Sequence, residues 1–548
     1  MATIIPLTAV AAPLRGLDLE ARDAFIGSVR RWGENNLPDT TIARMNREGV
    51  ATATIRALVQ NAYTETGLHM LPLPAKHSEE LREMGMEGGA RDLVALCRTV
   101  ADRDLGFATS VLATFLGLEP ILLGATDEQL DRLVPRLVQG AIWAYGVTEP
   151  NAGSDFSAIK TTAKPTEGGY LLNGSKIFIS NGNICDGMTI LARTPSGSSS
   201  FFWVDIERNA DGTIASPAGL STSVLEAKIG QHLSDTAVVA FDDLFVPVEN
   251  LVGGAEDLGA MQAARTFDYT RLMVASFGAA AGVKGVRIAA AYGQDRVQYG
   301  KPLTAMQGYT HRLLVPHEAR LAAANAYIDE IATTIDSGGT GLDLEGSLVK
   351  VLATEAGSAA IDAAIQAHGG YGYTHEYKPA QLWLDARVLR IYEGATEALT
   401  WASGLQAMRA KKRLQLLAEE MRALAGNNAN VGAEDIAQAA QVLFDSVKPL
   451  VAVANKNVAI RASFAEVAAE VNAAAALARK AVAAARPESA IAQAGRLEVL
   501  SRIFSRSVAR DSINRFRTLV SQVHDNDLAA DYLVGREPGQ YEPIKVEV

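Results

Sequence analysis

Cysteine is almost absent from this chain: Cys97 and Cys185 are the two in 548 residues. Two thiols make no disulfide framework, and neither falls in a Cys-x-x-Cys or Cys/His spacing that would hold zinc. A reducing compartment, the cytoplasm, is the expected location. An excess of positive charge is also lacking. Lys and Arg number 51 against 62 Asp and Glu, a net charge of −11, so the molecule as a whole repels phosphate backbones and no nucleic-acid partner is expected. No uncharged apolar run is long enough to cross a bilayer, which leads to the expectation of no transmembrane segment. Met1 to Leu17 is apolar, but no basic residue precedes the run, so it reads as mature sequence rather than a secretory signal. Gly-x-Gly-x-x-Gly opening a helix, the phosphate-binding Gly-x-x-x-x-Gly-Lys-[Ser/Thr], His-Glu-x-x-His and Gly-x-Ser-x-Gly are all missing. Nicotinamide, nucleoside-triphosphate, metalloenzyme and hydrolase chemistries lose their usual signatures with them.

Apolar side chains make up 48% of the residues, enough for a large interior divided among three or four domains. The fold class expected is α+β, mainly α. Residues 1–144 have helical periodicity, with Gly, Pro and His gathered into one long loop between Gly67 and Gly89. Residues 145–255 change character. The β-rich runs Tyr170-Leu-Leu, Lys176-Ile-Phe-Ile, Thr189-Ile-Leu-Ala, Phe201-Phe-Trp-Val and Ala237-Val-Val-Ala-Phe are separated by Asn-Gly, Gly-Gly and Asp-Gly turns, the pattern of an antiparallel sheet domain. Residues 256–409 return to helical spacing, with breaks at Gly293, Gly300 to Pro302, Gly338 to Gly341 and Gly369 to Gly372, which fits a bundle of four or five long helices. Residues 410–548 are Ala-rich and read as an additional helical domain bounded internally at Pro449 and Pro487. Arg502, Arg506 and Arg510 recur there every four residues, joined by Arg496, Arg515 and Arg517, a solvated or subunit-facing surface before an anion site.

The densest chemistry lies where helix gives way to sheet. Gly146-Val-Thr-Glu-Pro-Asn-Ala-Gly-Ser-Asp-Phe-Ser-Ala158 offers two hydroxyls and several backbone N–H groups in a glycine-containing loop, suited to the polar atoms of a flat or anionic ligand. The same residues also suit an ordinary turn stabilised by Asp155. Further on come Phe267-Asp-Tyr-Thr-Arg271, Arg296-Val-Gln-Tyr-Gly-Lys-Pro-Leu-Thr-Ala-Met-Gln307, Gln366-Ala-His-Gly-Gly-Tyr-Gly-Tyr-Thr-His-Glu376 and Arg390-Ile-Tyr-Glu-Gly394. These five motifs, in this order, resemble the signatures of the acyl-CoA dehydrogenase family.

The resemblance implies FAD as cofactor, an acyl-CoA substrate and α,β-dehydrogenation to the trans-2-enoyl-CoA. Glu393 is then the catalytic base that removes the α-proton, flavin N5 accepts the β-hydride, and an electron-transfer flavoprotein is the electron acceptor. A desolvated carboxylate suits that role, because burial raises its pKa toward the acidity of a thioester-activated proton. Gly394 leaves room for the thioester. In some branches of the family the base sits immediately before the arginine of the Phe-Asp-Tyr-Thr-Arg run; here Thr270 stands there and cannot serve.

By the same resemblance Tyr145, Val147 and Thr148 meet the isoalloxazine edge, Ser154 the pyrophosphate, and Phe178 with Ser180 the other side of the ring. Arg296, Gln307, Gln366, Gly369 and Gly370 hold the pyrophosphate and adenine of the neighbouring subunit's FAD, with Ala395 and Glu397 nearby. Ser154, Asp268 and Arg271 contact CoA. The chain departs from the family pattern at Phe178 for Trp, at Gln381 for Lys or Arg, and at Ala395 and Glu397 for Thr and Gln. The last domain is similar to that of very-long-chain members, where it covers the tetramer surface, so a homodimer is expected. Two other classes use or could reuse this fold: an O2-using flavoprotein (acyl-CoA oxidase or flavin monooxygenase), and a non-catalytic binding protein acting through the Arg502 to Arg517 face.

Overall fold

The computed structural model describes residues 19–84, 88–209, 213–224, 227–427, 429–455, 457–486 and 494–522. The first layer is helical: α1 (Leu19–Asn36), α2 (Asp39–Glu48), α3 (Thr52–Thr66), α4 (Glu79–Met84), α5 (Ala90–Arg103), α6 (Leu105–Gly124) and α7 (Asp127–Val138). Their starts follow from local polar groups. Asp104 caps α6 by accepting the Phe107 N–H at 2.8 Å, and Thr126 with Gln129 forms a reciprocal capping box at α7. The stretch expected as one long loop after Gly67 instead carries 3-10 turns at Leu68–Met70 and Ala75–His77 together with α4. Leu68, Leu71, Leu73 and Leu81 are buried there, and that burial offsets the weak local propensity.

The sheet comprises β1 (Trp143–Gly146), β2 (Thr162–Thr166), β3 (Gly169–Ser180), β4 (Gly187–Arg193), β5 (Ser199–Asp205), β6 (Glu207–Arg208), β7 (Ile214–Ser216), β8 (Leu220–Val224) and β9 (Thr236–Pro247). The main order is β1-β4-β2-β3-β9-β8 with β5 on β4, while β6 and β7 pair apart. Pairing is mostly antiparallel, but β1 and β2 run parallel to β4. Two of the β-rich runs are one strand: Asn173-Gly174 is an irregularity inside β3 rather than a hairpin turn. Gly174 has φ 144°, and a Cβ there would lie 2.7 Å from the Thr161 hydroxyl, so the chain bulges instead of reversing.

The bundle contains α8 (Gly259–Asp295), the hairpin β10 (Val297–Gln298) and β11 (Lys301–Pro302), the single turn α9 (Gln307–Tyr309), α10 (Val315–Asp336), α11 (Asp343–His368), α12 (Lys378–Ala386) and α13 (Thr396–Arg409). Helices α8 and α11 run parallel and nearly touch. A Cβ on Gly357 would lie 2.2 Å from the Gly278 carbonyl oxygen, so only glycine permits this approach. Gly293 is no break. It lies within α8, where the Tyr309 ring packs against it and a Cβ would meet that ring at 2.6 Å.

The last segment folds as α14 (Lys412–Asn427), α15 (Ala433–Ala454), α16 (Val458–Ala484), α17 (Ala494–Ser507) and α18 (Ile513–Gln522). Pro449 lies inside α15 and does not end it, because Val447, Leu450 and Ala454 bury the surrounding face; Pro487 lies outside the described residues. This segment is no separate appendage, since its helices share one hydrophobic core with α10, α11 and α13. Charges fasten the junction. Arg479 bonds Glu330 at 2.8 Å and Glu420 at 2.7 Å, Lys480 bonds Asp329 at 2.8 Å, and Arg496 pairs with Glu318. Arg515 lies 3.8 Å from Glu470, so part of the arginine set serves docking within the chain. Arg502 and Arg506 line a shallow cavity with Arg422, Glu434 and Asp435.

Contrary to the expectation from uncharged runs, three helices among the described residues are long and apolar enough, by length and composition, to cross a membrane: α6, α8 and α15. The most apolar window of α6 is 89% buried within the protein, against β1 and α8.

Candidate active site

Glu393 sits in the loop between a 3-10 turn, Arg387–Arg390, and α13. It has φ 54° and Gly394 has φ 96°, so two successive left-handed residues turn the carboxylate inward. Gly394 is required twice over, because a Cβ would also lie 2.8 Å from Leu399. Helix α11 ties the loop down at three points. Glu355 accepts from Arg390 Nε at 2.6 Å and from the Thr396 hydroxyl at 3.2 Å, and Lys350 Nζ donates to the Gly394 carbonyl at 2.6 Å. From α8, the Thr270 hydroxyl lies 2.7 Å from Glu393 Oε2. The threonine at the alternative base position is therefore a hydrogen-bond partner of the glutamate.

Burial raises the Glu393 carboxyl above the ordinary glutamate value, while the Thr270 hydroxyl and the charges of Arg271 and Lys350 pull it back. Among the described residues the buried Tyr145 hydroxyl has no hydrogen-bond partner, and its pKa is pushed well up by burial and by the Glu393 charge. A buried hydroxyl left open beside a carboxylate is the sort of polar atom that a bound group completes.

The loop after β1 is organised by an ion pair that the motif alone did not reveal. Lys176 is fully buried, and its Nζ donates to Glu149 Oε1 at 2.8 Å and to the Val147 carbonyl at 3.1 Å. Glu149 also accepts from the Lys160 and Thr161 N–H groups at 2.6 and 2.9 Å. Burial works against the Glu149 charge, but these donors hold its carboxyl down to about 2; burial pushes Lys176 down to about 8. Val147 is buried and Thr148 half-buried, with the Thr148 carbonyl accepting from Ile177 N–H at 2.9 Å. Ser154 is exposed, and Asp155 accepts from both the N–H and hydroxyl of Ser157. On the facing strand Ser180 is half-buried, whereas Phe178 is 61% exposed with φ 60°, at the register shift between Lys176 and Ile179. A left-handed aromatic is rare in a strand, and here the irregularity turns an apolar ring out of the core.

A second cluster forms at the far end of α8 and α11. Arg296, Gln366, Gly369 and Gly370 line one cavity of about 560 Å³, floored by Tyr292 and His368. Among the described residues, chain neighbours aside, no atom lies within 4 Å of where a Cβ would stand on Gly369 or Gly370, so the backbone there is open to close approach. Gln307 is exposed and is not among the residues lining this cavity. The run before it forms the β10–β11 hairpin, whose tip residue Tyr299 is 93% exposed with φ 49°. Ala395 precedes α13 and Glu397 is exposed in its first turn. Arg271 Nη1 donates to Asp343 at 2.7 Å and to Ser347 at 2.9 Å; the side chain of Asp268 lies outside the described residues.

The residues present fit FAD. An outturned Phe178 ring and an open Tyr145 hydroxyl suit an isoalloxazine, and a guanidinium beside two uncovered glycines suits phosphate oxygens. The comparisons agree. Residues 144–244 match the family described as acyl-CoA dehydrogenase, middle domain, and residues 257–402 match acyl-CoA dehydrogenase, C-terminal domain. An acyl-CoA dehydrogenase of Bacillus subtilis (strain 168) is 34% identical over 290 residues, covering 52% of this chain and 73% of that protein. The caffeyl-CoA reductase-Etf complex subunit CarC of Acetobacterium woodii is 31% identical over 323 residues, covering 58% of this chain and 82% of that protein. The crystal structure of an acyl-CoA dehydrogenase complexed with FAD from Bacillus anthracis has the same fold, with a TM-score of 0.77 at 20% identity, covering 93% of this chain and 92% of that one. Fold and site thus define a flavin-dependent oxidoreductase. The chain belongs to the acyl-CoA dehydrogenase family, with FAD as cofactor and an acyl-CoA as substrate.

Proposed function

We propose that Glu393 is the base that removes the α-proton of a bound acyl-CoA, giving the trans-2-enoyl-CoA. FAD, when bound, would supply the two-electron acceptor for the β-hydrogen and its electron pair. The chain's own residues do the rest. The half-buried Glu393 carboxylate is a stronger base than one in water because its charge is incompletely solvated, and its pKa is raised for that reason. The α-proton ends on Glu393, the Cα–H electron pair becomes part of the new C=C bond, and the β-hydrogen leaves with its electrons. Thr270 donates to one oxygen of the carboxylate and favours its charged form, and Gly394 keeps the approach to it free of a side chain. Tyr145, Val147, Thr148, Ser154, Phe178 and Ser180 bind the flavin half of the cofactor. Arg296, Gln366, Gly369 and Gly370 bind the phosphate and adenine end of FAD held by a second subunit, with Gln307, Ala395 and Glu397 at its margin. Arg271, with Asp268 and Ser154, meets the CoA portion.

The observation that carries this reading is the inward-turned Glu393, hydrogen-bonded to Thr270 in a loop clamped by α11. Glu393→Gln tests it. The variant is expected to retain FAD and acyl-CoA binding, while anaerobic flavin bleaching by an acyl-CoA panel slows by about two to four orders of magnitude. Bleaching at the wild-type rate overturns the assignment. The electron acceptor proposed is an electron-transfer flavoprotein, supported by the Etf partnership in the name of the CarC relative; rapid reoxidation of the substrate-complexed flavin by air would point to an oxidase instead. The chain is proposed to act in the cytoplasm as a homodimer, the helices after residue 410 covering α10 and α13. A tetramer found by light scattering would refute the dimer.

A further inference from the structure

Lys350 is fully buried, has no part in any of the five motifs, and directs its ammonium group at the catalytic loop. Burying an ammonium is strongly unfavourable unless its charge is used locally. Among the described residues its hydrogen-bond acceptor is the Gly394 carbonyl, one residue beyond Glu393, at 2.6 Å. We propose that Lys350 is a positioning residue for proton abstraction: by holding the Gly394 carbonyl, it fixes the left-handed turn that presents Glu393. Its charge also favours the carboxylate form of the base. The inference rests on Glu393 being that base.

The register of α8 and α11, set by the Gly278–Gly357 contact, places Lys350 at the level of Thr270 and Arg271. The groups facing the loop are then Thr270 and Arg271 from α8, Lys350 and Glu355 from α11, Tyr145 from β1, Tyr392 from the loop itself and Glu397 from α13. Burial pushes the Lys350 ammonium down to about 8 against the pull of Glu393, Glu355 and Glu397, with Arg271 adding to the lowering, so the group is mostly charged at neutral pH. A methionine would fill the same space without charge or donor.

The test is α-proton exchange in D2O, followed by mass spectrometry on a 3-thia-acyl-CoA. Its α-proton is acidic, but the sulfur at the β-position has no hydride to give. Holoenzyme carrying Lys350→Met is expected to keep its FAD and bind the thioether within about threefold of wild type. Its exchange should be about tenfold slower at neutral pH, with the midpoint of the pH profile about one unit higher. Lys350→Arg, which keeps charge and donor, should recover much of the rate and midpoint. Lys350→Gln, a donor without charge, should keep the displaced midpoint, and these two variants carry the comparison if the methionine chain does not accumulate. Wild-type rate and midpoint in Lys350→Gln or Lys350→Met, with only a lower melting temperature, overturn the proposal and leave a structural lysine. Glu393→Gln is the control. Loss of exchange there with unchanged Lys350 variants rejects the lysine's role alone, whereas normal exchange in Glu393→Gln rejects the base itself.

Discussion

Thr270→Val removes one hydroxyl at a fully buried position and keeps the branched shape. The Thr270 oxygen lies 2.7 Å from Glu393 Oε2 and 3.1 Å from the Thr266 carbonyl, which as part of α8 still accepts its helical N–H, so no backbone group is orphaned. A hydrogen bond to a charged group is worth about 1.5–3 kcal/mol, and one pKa unit corresponds to about 1.4 kcal/mol. The donor favours the carboxylate, so its loss raises the Glu393 pKa further, by about one to two units. The measurement is the rate of anaerobic flavin reduction at saturating acyl-CoA across the range from about pH 5 to about pH 9. The rising limb should move to higher pH by that amount, while the rate on the plateau is kept, because the base is stronger once ionised. A limb at the wild-type position with a lowered plateau would show that Thr270 packs but does not tune, and would refute the reasoning.

Two predictions concern stability. Glu119 is 7% exposed in α6, and burial raises its carboxyl to about 8. The folded state therefore holds this proton more tightly than the unfolded state, and stability falls as pH rises from the ordinary glutamate range to about 8, by at most about 5 kcal/mol. Glu119→Gln should flatten that slope in melting curves taken through the window; an unchanged slope would place the titration elsewhere. Phe464 is fully buried in the core shared by α16 and the bundle. Phe464→Ala should remove about 3–5 kcal/mol and lower the melting of the whole helical half in one transition. Independent melting of residues beyond 410 would show that the core is not continuous.

The helix–sheet–helix order and the five motifs were legible in the sequence because each depends on neighbours along the chain: periodicity, turn residues and short glycine-bearing runs. Local pattern misled where packing outweighs propensity. Pro449 stays helical because α15 buries apolar residues on both sides of it, and Gly293 stays helical because an aromatic ring needs the space its missing Cβ leaves. Asn173-Gly174 looks like a hairpin turn, yet Val246, Phe245 and Leu244 of β9 pair with β3 before it and Phe241 resumes the pairing after it.

The sequence by itself singled out Glu393 as the proposed base, the loop that carries it and the residues gathered around Arg296 and Gly369, because these sit inside contiguous motifs. Tertiary structure alone decided which distant side chains meet around these loops. Lys350 lies 43 residues before Glu393 in the chain, and Lys176 meets Glu149 through the fold of β3 against the preceding loop. Nothing periodic marks either lysine: Lys350 is placed by the close approach of α8 to α11 at Gly278 and Gly357, and Lys176 by its burial in β3 against Glu149.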